Sequence, residues 1–400
     1  MKKTAVLLTA YHKIPKLSPG GPGYMIELIG LGFLQLKLDW DIAVIGLEKH
    51  PSAQRGPFSA IKSYLKLHAP RRLRACLAYW RLKTWSRQYA RILLKHTELL
   101  DRAEIIHVHD PVAFDALTRL KRWNHKKIIY TDHSPGSLFQ LITRYVPQRP
   151  YRSCERKIIE LELSASRESN AISLISNGQQ RLKCQEIPEL EPLLGRAQVI
   201  YNGLADYPTG AIPIIAGLPA VPIIGFVGGL TREKGIDLLL ESFVQYATAH
   251  PNDQAILEVV GDGPLRSKLE RRYRHWVRKK RVVFYGQRSD VAILLPRFSL
   301  FVSPGRRSGF DLAILEALRA GCAVIVSDTG GNREAVGSAG LILKSLDSEA
   351  LSAALDKLLN DQDLRTSLKE KARTRFQKYF SLATMSRHYQ LLYNQTKHRE

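Results

Sequence analysis

Two stretches of this 400-residue chain carry side chains suited to holding an anion. The first is Ser303–Val336, SPGRRSGFDLAILEALRAGCAVIVSDTGGNREAV. An apolar strand ends at Ser303, a glycine-containing loop follows, and a helix is expected to open near Asp311. A loop that opens a helix presents free N–H groups and a positive dipole end to an anion. Arg306 and Arg307 stand just before that opening, so a diphosphate would fit. Ser308, Gly309, Phe310, Asp311, Leu312 and Ala313 form the same loop and the start of the helix. Glu316 lies in the second turn, where a carboxylate can accept hydrogen bonds from a ribose diol. The alternative is a solvated helix residue, against which stand its apolar neighbours Ile314, Leu315, Ala317 and Leu318. The second stretch is Ile223–Leu240, IIGFVGGLTREKGIDLLL. A strand ends at Gly228-Gly229, and Lys234 stands at the entrance of a helix starting near Gly235, where an ammonium group would meet a phosphate. A glycine-rich strand–helix turn alone is a weak signal, because close packing also demands glycine. Val259–Leu265, VVGDGPL, is a third strand-to-turn segment.

Apolar strands positioned by helices carry these loops. Thr4–Ala10, Ile42–Gly46, Ile105–His109, Lys127–Thr131 and Ala171–Ile175 read as buried strands with helical segments between them. Near Asn202-Gly203 the alternation stops, and Pro208, Pro213, Pro219 and Pro222 punctuate a linker. A second series runs through Ile223–Val227, Ala255–Val260, Val282–Tyr285, Leu300–Ser303 and Ala323–Ser327. Continuous apolar strands alternating with helices indicate parallel sheets covered on both faces. The expectation is therefore α/β with two doubly wound domains: residues 1–204, and residues 205–381, with a last helix over about 382–400 returning to the first. Ligands bind outside the carboxyl ends of such strands, so the expected site is a cleft between two facing loop sets. The uncharged stretch Ala211–Leu230 has the length of a membrane span, but its prolines would break a helix repeatedly. It reads as a linker running into a strand.

The composition is ordinary for a globular protein, with 44% hydrophobic and 24% charged residues. This excludes a disordered tail, a collagen-like fibre and a disulfide scaffold. The net charge of +23 favours a polyanionic partner: nucleic acid, an anionic membrane or phosphorylated small molecules. Cys76, Cys154, Cys184 and Cys322 lack CxxC spacing and read as free thiols in a reducing compartment, the cytosol. The apolar run Ala5–Leu8 is too short for a signal peptide and reads as a strand.

With these motifs in this order, the chain resembles the retaining, nucleotide-sugar-dependent GT-B glycosyltransferases of family four. The N-terminal half agrees more loosely, through GGPG at Gly20–Gly23, HVHD at His107–Asp110, TDHS at Thr131–Ser134 and YNG at Tyr201–Gly203. The resemblance implies a GT-B fold of two Rossmann-like domains facing a central cleft, the first for the acceptor and the second for the nucleotide-sugar. It implies a ribose contact for Glu316 and a diphosphate contact for Lys234. Gly20, Gly21, Gly228 and Gly229 fall on donor-side glycine turns. His133 matches the histidine of the family's TxH motif and is expected near the reacting anomeric carbon, where it would stabilise charge or guide the acceptor hydroxyl. His109 and Asp110 are placed on the acceptor side. His107 and His109 alternate along a strand and so share a face. With Asp110 they look like a fragment of a metal site, but no convincing further ligands accompany them, and neither metal nor cofactor is expected.

Three positions depart from the family pattern. Ser308 stands in place of the first of two glutamates, Gly229 in place of an arginine, and Asp311 in place of a glycine. One account is an active enzyme with altered donor use, with Arg306 or Arg307 supplying positive charge. The other is a non-catalytic subunit of a glycosylation complex. On the active account no protein nucleophile is required: the leaving phosphate takes the acceptor proton, while the protein positions substrates and stabilises charge.

Residues 51–100 hold eleven basic side chains against the single acidic Glu98. Lys83, Arg87, Arg91 and Lys95 recur every four residues and line one helical face. Leu82, Trp85, Tyr89, Ile92 and Leu93 occupy the other side. This is the layout of an interfacial helix, with Trp85 and Tyr89 at headgroup level and the cations toward anionic lipid. The alternative is a solvated helix packed on the core. A second basic run, Arg271–Arg281, would serve the same surface. Nucleic acid is disfavoured as a partner, because no RRM, KH, zinc-finger or helix-turn-helix signature accompanies the charge. The sequence thus predicts a transferase moving sugar from a nucleotide diphosphate sugar to a membrane-associated or phosphorylated glycan acceptor. Its expected place is the inner face of the cytoplasmic membrane, as a peripheral protein, in lipopolysaccharide, capsule or similar assembly.

Overall fold

The computed structural model describes residues 3–13, 22–47, 71–143, 153–208 and 221–398. The chain forms two compact units. Residues 1–201 and 385–400 make unit 1, and residues 202–384 make unit 2.

The sheet of unit 1 contains β1 (Lys3–Lys13), β2 (Trp40–Leu47), β3 (Ile105–Val108), β4 (Lys127–Asp132), β5 (Ala171–Leu174) and β6 (Gln198–Val199). The strands are all parallel and lie in the order β2-β1-β3-β4-β5-β6. β3 and β5 are buried at every position, His107 and Ser173 included, as strands of a sheet covered on both faces are. The helix Pro111–Arg119 begins where it does because Asp110 accepts a hydrogen bond from the Ala113 N–H and Pro111 fills the first helical position. The C-terminal helix Leu382–Lys397 supplies Tyr393 to the core of unit 1, stacked on Phe33 and edge-on to Trp40.

In unit 2 the strands are β7 (Ile223–Val227), β8 (Ile256–Val260), β9 (Val282–Gly286), β10 (Leu300–Ser303), β11 (Ala323–Val326) and β12 (Gly340–Ile342). This sheet is also wholly parallel, in the order β12-β11-β10-β7-β8-β9. Counted within the unit, the arrangement is 6-5-4-1-2-3, so the winding reverses between β7 and β10. In unit 1 the reversal falls between β1 and β3. Loops at the carboxyl ends of such neighbouring strands diverge and leave a crevice. The short edge strands β6 and β12 are absent from the sequence reading, because two or three residues leave no periodicity to detect.

The cysteine expectation needs correction. Cys76 and Cys154 form a disulfide, while Cys184 and Cys322 are free. The helices Arg71–Leu93 and Ser153–Glu168 carry the two cysteines to a Cα separation of 5.1 Å, within the range a disulfide spans. At a sequence separation of 78, spacing gave no signal. With this bond in place, cysteine usage no longer argues for a reducing compartment. Among the described residues, no helix is long and apolar enough to cross a membrane.

Candidate active site

In unit 2 the two anion-suited stretches leave adjacent strands, β7 and β10, at the reversal point. Backbone contacts lock them together: the Arg306 N–H donates to the Glu233 carbonyl at 2.8 Å. Gly235 has φ +72°, and a Cβ there would meet the Pro304 carbonyl oxygen at 2.1 Å, so only glycine lets the loops approach. The loop after β11 closes the cluster. Ser327 and Thr329 hydroxyls donate to the Gly305 carbonyl at 2.6 and 2.9 Å, and the Gly331 N–H donates to the Gly309 carbonyl at 2.9 Å. Gly330, at φ +53°, would put a Cβ 1.6 Å from the Ser308 carbonyl oxygen.

Lys234 and Arg306 are each already paired with a carboxylate. Lys234 Nζ lies 2.9 Å from Asp311 Oδ2. Asp311 also caps the helix Leu312–Arg319, its Oδ1 accepting from the Ala313 N–H, and its Oδ2 accepts from the Ser303 hydroxyl at 3.3 Å. Arg306 Nη1 donates to Asp237 Oδ1 at 2.7 Å and to the Arg232 carbonyl at 2.6 Å. Arg306, expected to supply positive charge, thus has Nη1 engaged by a carboxylate and a carbonyl. Arg307 is half-buried and Ser308 is buried. Phe310, expected at the donor, is buried and meets Phe380 edge-on with ring centroids 5.6 Å apart, which makes it a packing residue. Leu312 and Ala313 open the helix, half-buried. Gly228 donates its N–H to the Val260 carbonyl at 3.0 Å, and Gly229 is exposed at the loop tip.

Glu316 is not a solvated surface residue. Burial pushes its carboxyl up to about 7, against the pull of Arg319 and with added repulsion from Asp311. A carboxyl with that affinity for its proton stands ready either to donate or to accept near neutral pH.

In unit 1 the loops at the carboxyl ends of β3 and β4 bring His109 and His133 together. His109 Nδ1 and His133 Nε2 are 2.9 Å apart, with the rings stacked at a centroid distance of 5.2 Å. One nitrogen of that pair must donate and the other accept. His109 is buried, whereas His133 is half-buried. His107 sits beneath, between the Tyr393 hydroxyl at 2.8 Å and the Thr131 hydroxyl at 2.7 Å. Burial, helped by His133, pushes His107 down to about 3, so its imidazole is neutral. Asp110 departs from the acceptor-side expectation. It is buried, and its oxygens accept from the Thr9 hydroxyl at 3.0 Å and from the Ala10 and Ala113 N–H groups, both at 2.7 Å. Those contacts tie β1 to the following helix, so Asp110 is structural. Gly20 and Gly21 lie outside the described residues. Among the described residues, no group of three His, Cys, Asp or Glu side chains could hold a metal.

Sequence reasoning missed the clamp beneath the His133 loop. Lys183 Nζ donates to Asp132 Oδ2 at 2.6 Å and to Glu162 Oε1 at 2.7 Å, all three side chains buried. Asp132 Oδ1 accepts from the Ser134 N–H at 2.7 Å, and Glu162 Oε2 from the Leu138 N–H at 3.0 Å. Gln179 donates to the Asp132 and Ser134 carbonyls, each at 2.8 Å. Burial raises Glu162 in spite of Lys183. Burial would raise Asp132 too, but the Lys183 charge and hydrogen bond take it below its ordinary value. No local pattern marks residues 132, 162 and 183 as partners; only the fold assembles them.

The basic helix Arg71–Leu93 is amphipathic, but its faces differ from expectation. Tyr89 is fully buried, donating its hydroxyl to the Ile45 carbonyl at 2.6 Å and accepting from the Thr9 N–H at 3.1 Å. Trp85 is half-buried against the core, with the Arg81 guanidinium 4.5 Å from its ring centroid. Lys83 is committed to Asp115 at 2.7 Å. The exposed side carries Leu77, Trp80, Arg81, Arg87 and Arg91, with Leu94 and Lys95 continuing beyond it. Trp80, not Trp85 or Tyr89, is the outward aromatic residue, at 60% exposure.

Residues 218–375 match the family described as Glycosyl transferases group 1. The full chain superposes on a sucrose-phosphate synthase from Thermosynechococcus elongatus with a TM-score of 0.72, covering 98% of this chain and 99% of that one at 19% identity. The chain has the GT-B fold, and residues 218–375 within it match the group 1 family. Anabaena HepE, solved in complex with UDP and glucose, shares the fold at a TM-score of 0.66 and 15% identity, covering 98% of this chain and all of that one. In sequence, the chain is similar to the lipopolysaccharide core biosynthesis mannosyltransferase LpcC of Rhizobium leguminosarum bv. viciae. The two are 28% identical over 171 residues, 42% of this chain and 49% of that protein. The chain thus spans about half the length of the curated relatives it matches. The loops bearing Lys234, Arg306, Asp311 and Glu316 all fall within the matched residues 218–375.

Proposed function

We propose that this protein is a glycosyltransferase that moves a sugar from a nucleotide diphosphate sugar, bound by the loops after β7, β10 and β11, to a glycan acceptor. The observation that carries this reading is the convergence of Lys234, Arg306 and a capped helix start at the reversal point of unit 2, with the proton-holding Glu316 one turn along the helix. Lys234 and Arg306 would neutralise charge developing on the leaving diphosphate. Glu316 would accept from the ribose diol, and His133, oriented by His109, would face the acceptor hydroxyl. The reading takes charge neutralisation from these cations and calls on no metal or cofactor. Transfer proceeds with retention, the departing phosphate taking the acceptor proton. HepE's complex with UDP and glucose supports a nucleotide-sugar donor. LpcC's role in lipopolysaccharide core biosynthesis supports a cell-surface polysaccharide acceptor, lipid-linked or phosphorylated. The outward face of Trp80, Arg87 and Arg91 supports peripheral attachment to an anionic membrane, on the cytoplasmic side.

A second reading, a non-catalytic glycosylation subunit, draws on the neutralised Lys234–Asp311 pair. The two separate in one experiment. UDP-, GDP- and ADP-sugars are tested for nucleoside diphosphate release and CMP-sugars for CMP release, with and without membrane extract, on wild type and Glu316→Gln. Turnover of one donor, lost in the variant, establishes the enzyme. Nucleotide binding without turnover of any donor assigns the subunit role.

A further inference from the structure

Asp311 makes three contacts that an incoming phosphate would need. Its carboxylate engages the Lys234 ammonium at 2.9 Å, the Ser303 hydroxyl at 3.3 Å and the Ala313 N–H in the first turn of the helix Leu312–Arg319. These are the donor types that stabilise a phosphate oxygen: a cation, a hydroxyl and a helix-start amide. The neighbouring cation is closed in the same way, Arg306 by Asp237 at 2.7 Å. The two cations and two carboxylates cancel, so these two pairs together bring no net charge to an arriving anion. A diphosphate and the Asp311 carboxylate cannot share Lys234 without like-charge repulsion at close range. The Lys234 side chain is 35% exposed and that of Asp311 12%, so solvent has access to the pair and the contact can be exchanged.

We propose that Asp311 is an intramolecular competitor for the diphosphate: its carboxylate occupies Lys234 in the empty protein and must be displaced when a nucleoside diphosphate binds. This rests on the donor-site reading above. It makes Asp311 a determinant of donor affinity, weakening the hold on the diphosphate and thereby easing release of the nucleoside diphosphate product. The competition acts on the phosphates alone, so it leaves the affinity for the nucleoside portion unchanged.

The test is titration calorimetry with UDP, GDP and ADP, and with the matching nucleosides, on wild type, Asp311→Asn, Lys234→Met and the double variant. Asparagine caps a helix as well as aspartate but carries no charge. Asp311→Ser, also a capping residue, serves as a second variant, and circular dichroism verifies folding of each. Freeing one partly exposed ion pair is expected to tighten the diphosphate that binds by roughly fivefold. The nucleoside should be unaffected, and the gain should vanish when Lys234 is methionine. Equal or weaker diphosphate binding by both Asp311 variants overturns the proposal while leaving the donor site standing, as does a gain that persists without Lys234. Failure of all three diphosphates to bind wild type and every variant refutes the donor-site reading, and the competitor role falls with it.

Discussion

Replacing Glu316 with glutamine should move stability and nucleotide binding in opposite directions. Burial pushes the Glu316 carboxyl from an ordinary value of 4.5 to about 7. Between those values the folded protein holds a proton that the unfolded chain has released. Stability therefore falls as pH rises through that window, and the Glu316 contribution is fully present only below about 4.5. The gap of about 2.5 pH units corresponds to roughly 3 kcal/mol as an upper bound. Glu316 keeps part of its surface accessible, and screening brings the expected effect to about 1–2 kcal/mol. Glutamine cannot ionise. Glu316→Gln should match wild type near pH 4.5 and be more stable by that amount at pH 8.5. Binding should run the other way. An ionised carboxylate accepts two hydrogen bonds from a ribose diol, so wild-type nucleotide affinity should rise with pH through about 7, while the variant stays weak and flat. Hydrogen exchange along the helix Leu312–Arg319 at both pH values reads the first effect locally, and calorimetry reads the second. A stability difference that is the same at pH 4.5 and 8.5, or a wild-type affinity indifferent to pH, would refute the argument.

Lys183→Met should strip the compensation from the buried Asp132 and Glu162 and cost about 3–5 kcal/mol in urea unfolding, with lost exchange protection over residues 132–138; a cost below about 1 kcal/mol would mean that the clamp is not energetically coupled. Cys76→Ser should cost about 2–4 kcal/mol under non-reducing conditions. Dithiothreitol should bring wild type down to the same level and leave the variant unchanged, whereas an alkylation count of four accessible thiols in untreated, denatured protein would show the bond absent. Arg87→Glu with Arg91→Glu, and separately Trp80→Ala, should each reduce sedimentation with phosphatidylglycerol vesicles at low salt without altering nucleotide affinity. Lys83 is left intact because a glutamate there would face Asp115. Undiminished sedimentation of both variants would place the membrane face elsewhere.

The strands of both sheets were largely legible because buried parallel strands read as mainly apolar runs, unbroken in β11 and carrying one polar residue each in β3, β5 and β10. The anion-suited loops were legible for a related reason: glycine, lysine and a helix start within a few residues are local features. The state of the charges was not. Lys234 and Asp311 are 77 residues apart, and Arg306 and Asp237 69, so nothing near either cation announces its partner. On the basic helix, the four-residue spacing of cations was visible, but two of its aromatics were assigned outward. Burial of Tyr89 follows from its contacts with β1 and β2, which lie outside the helix's own pattern.

The amino-acid sequence by itself determined two doubly wound α/β units, the loops that bear Lys234 and Glu316, and the excess of positive charge over residues 51–100. Short-range physics decides those features: apolar runs make strands, glycines make turns, and charge is counted wherever it falls. Only the tertiary structure decided which charges are open and which are spent. It closed Cys76 on Cys154, set Lys183 between Asp132 and Glu162, turned Asp110 into a helix cap, and laid Asp311 on Lys234. Apart from the Asp110 cap, which lies within a few residues, these pairings are long-range. Their strength depends on distance and burial, quantities that exist only once the strands have assembled into sheets.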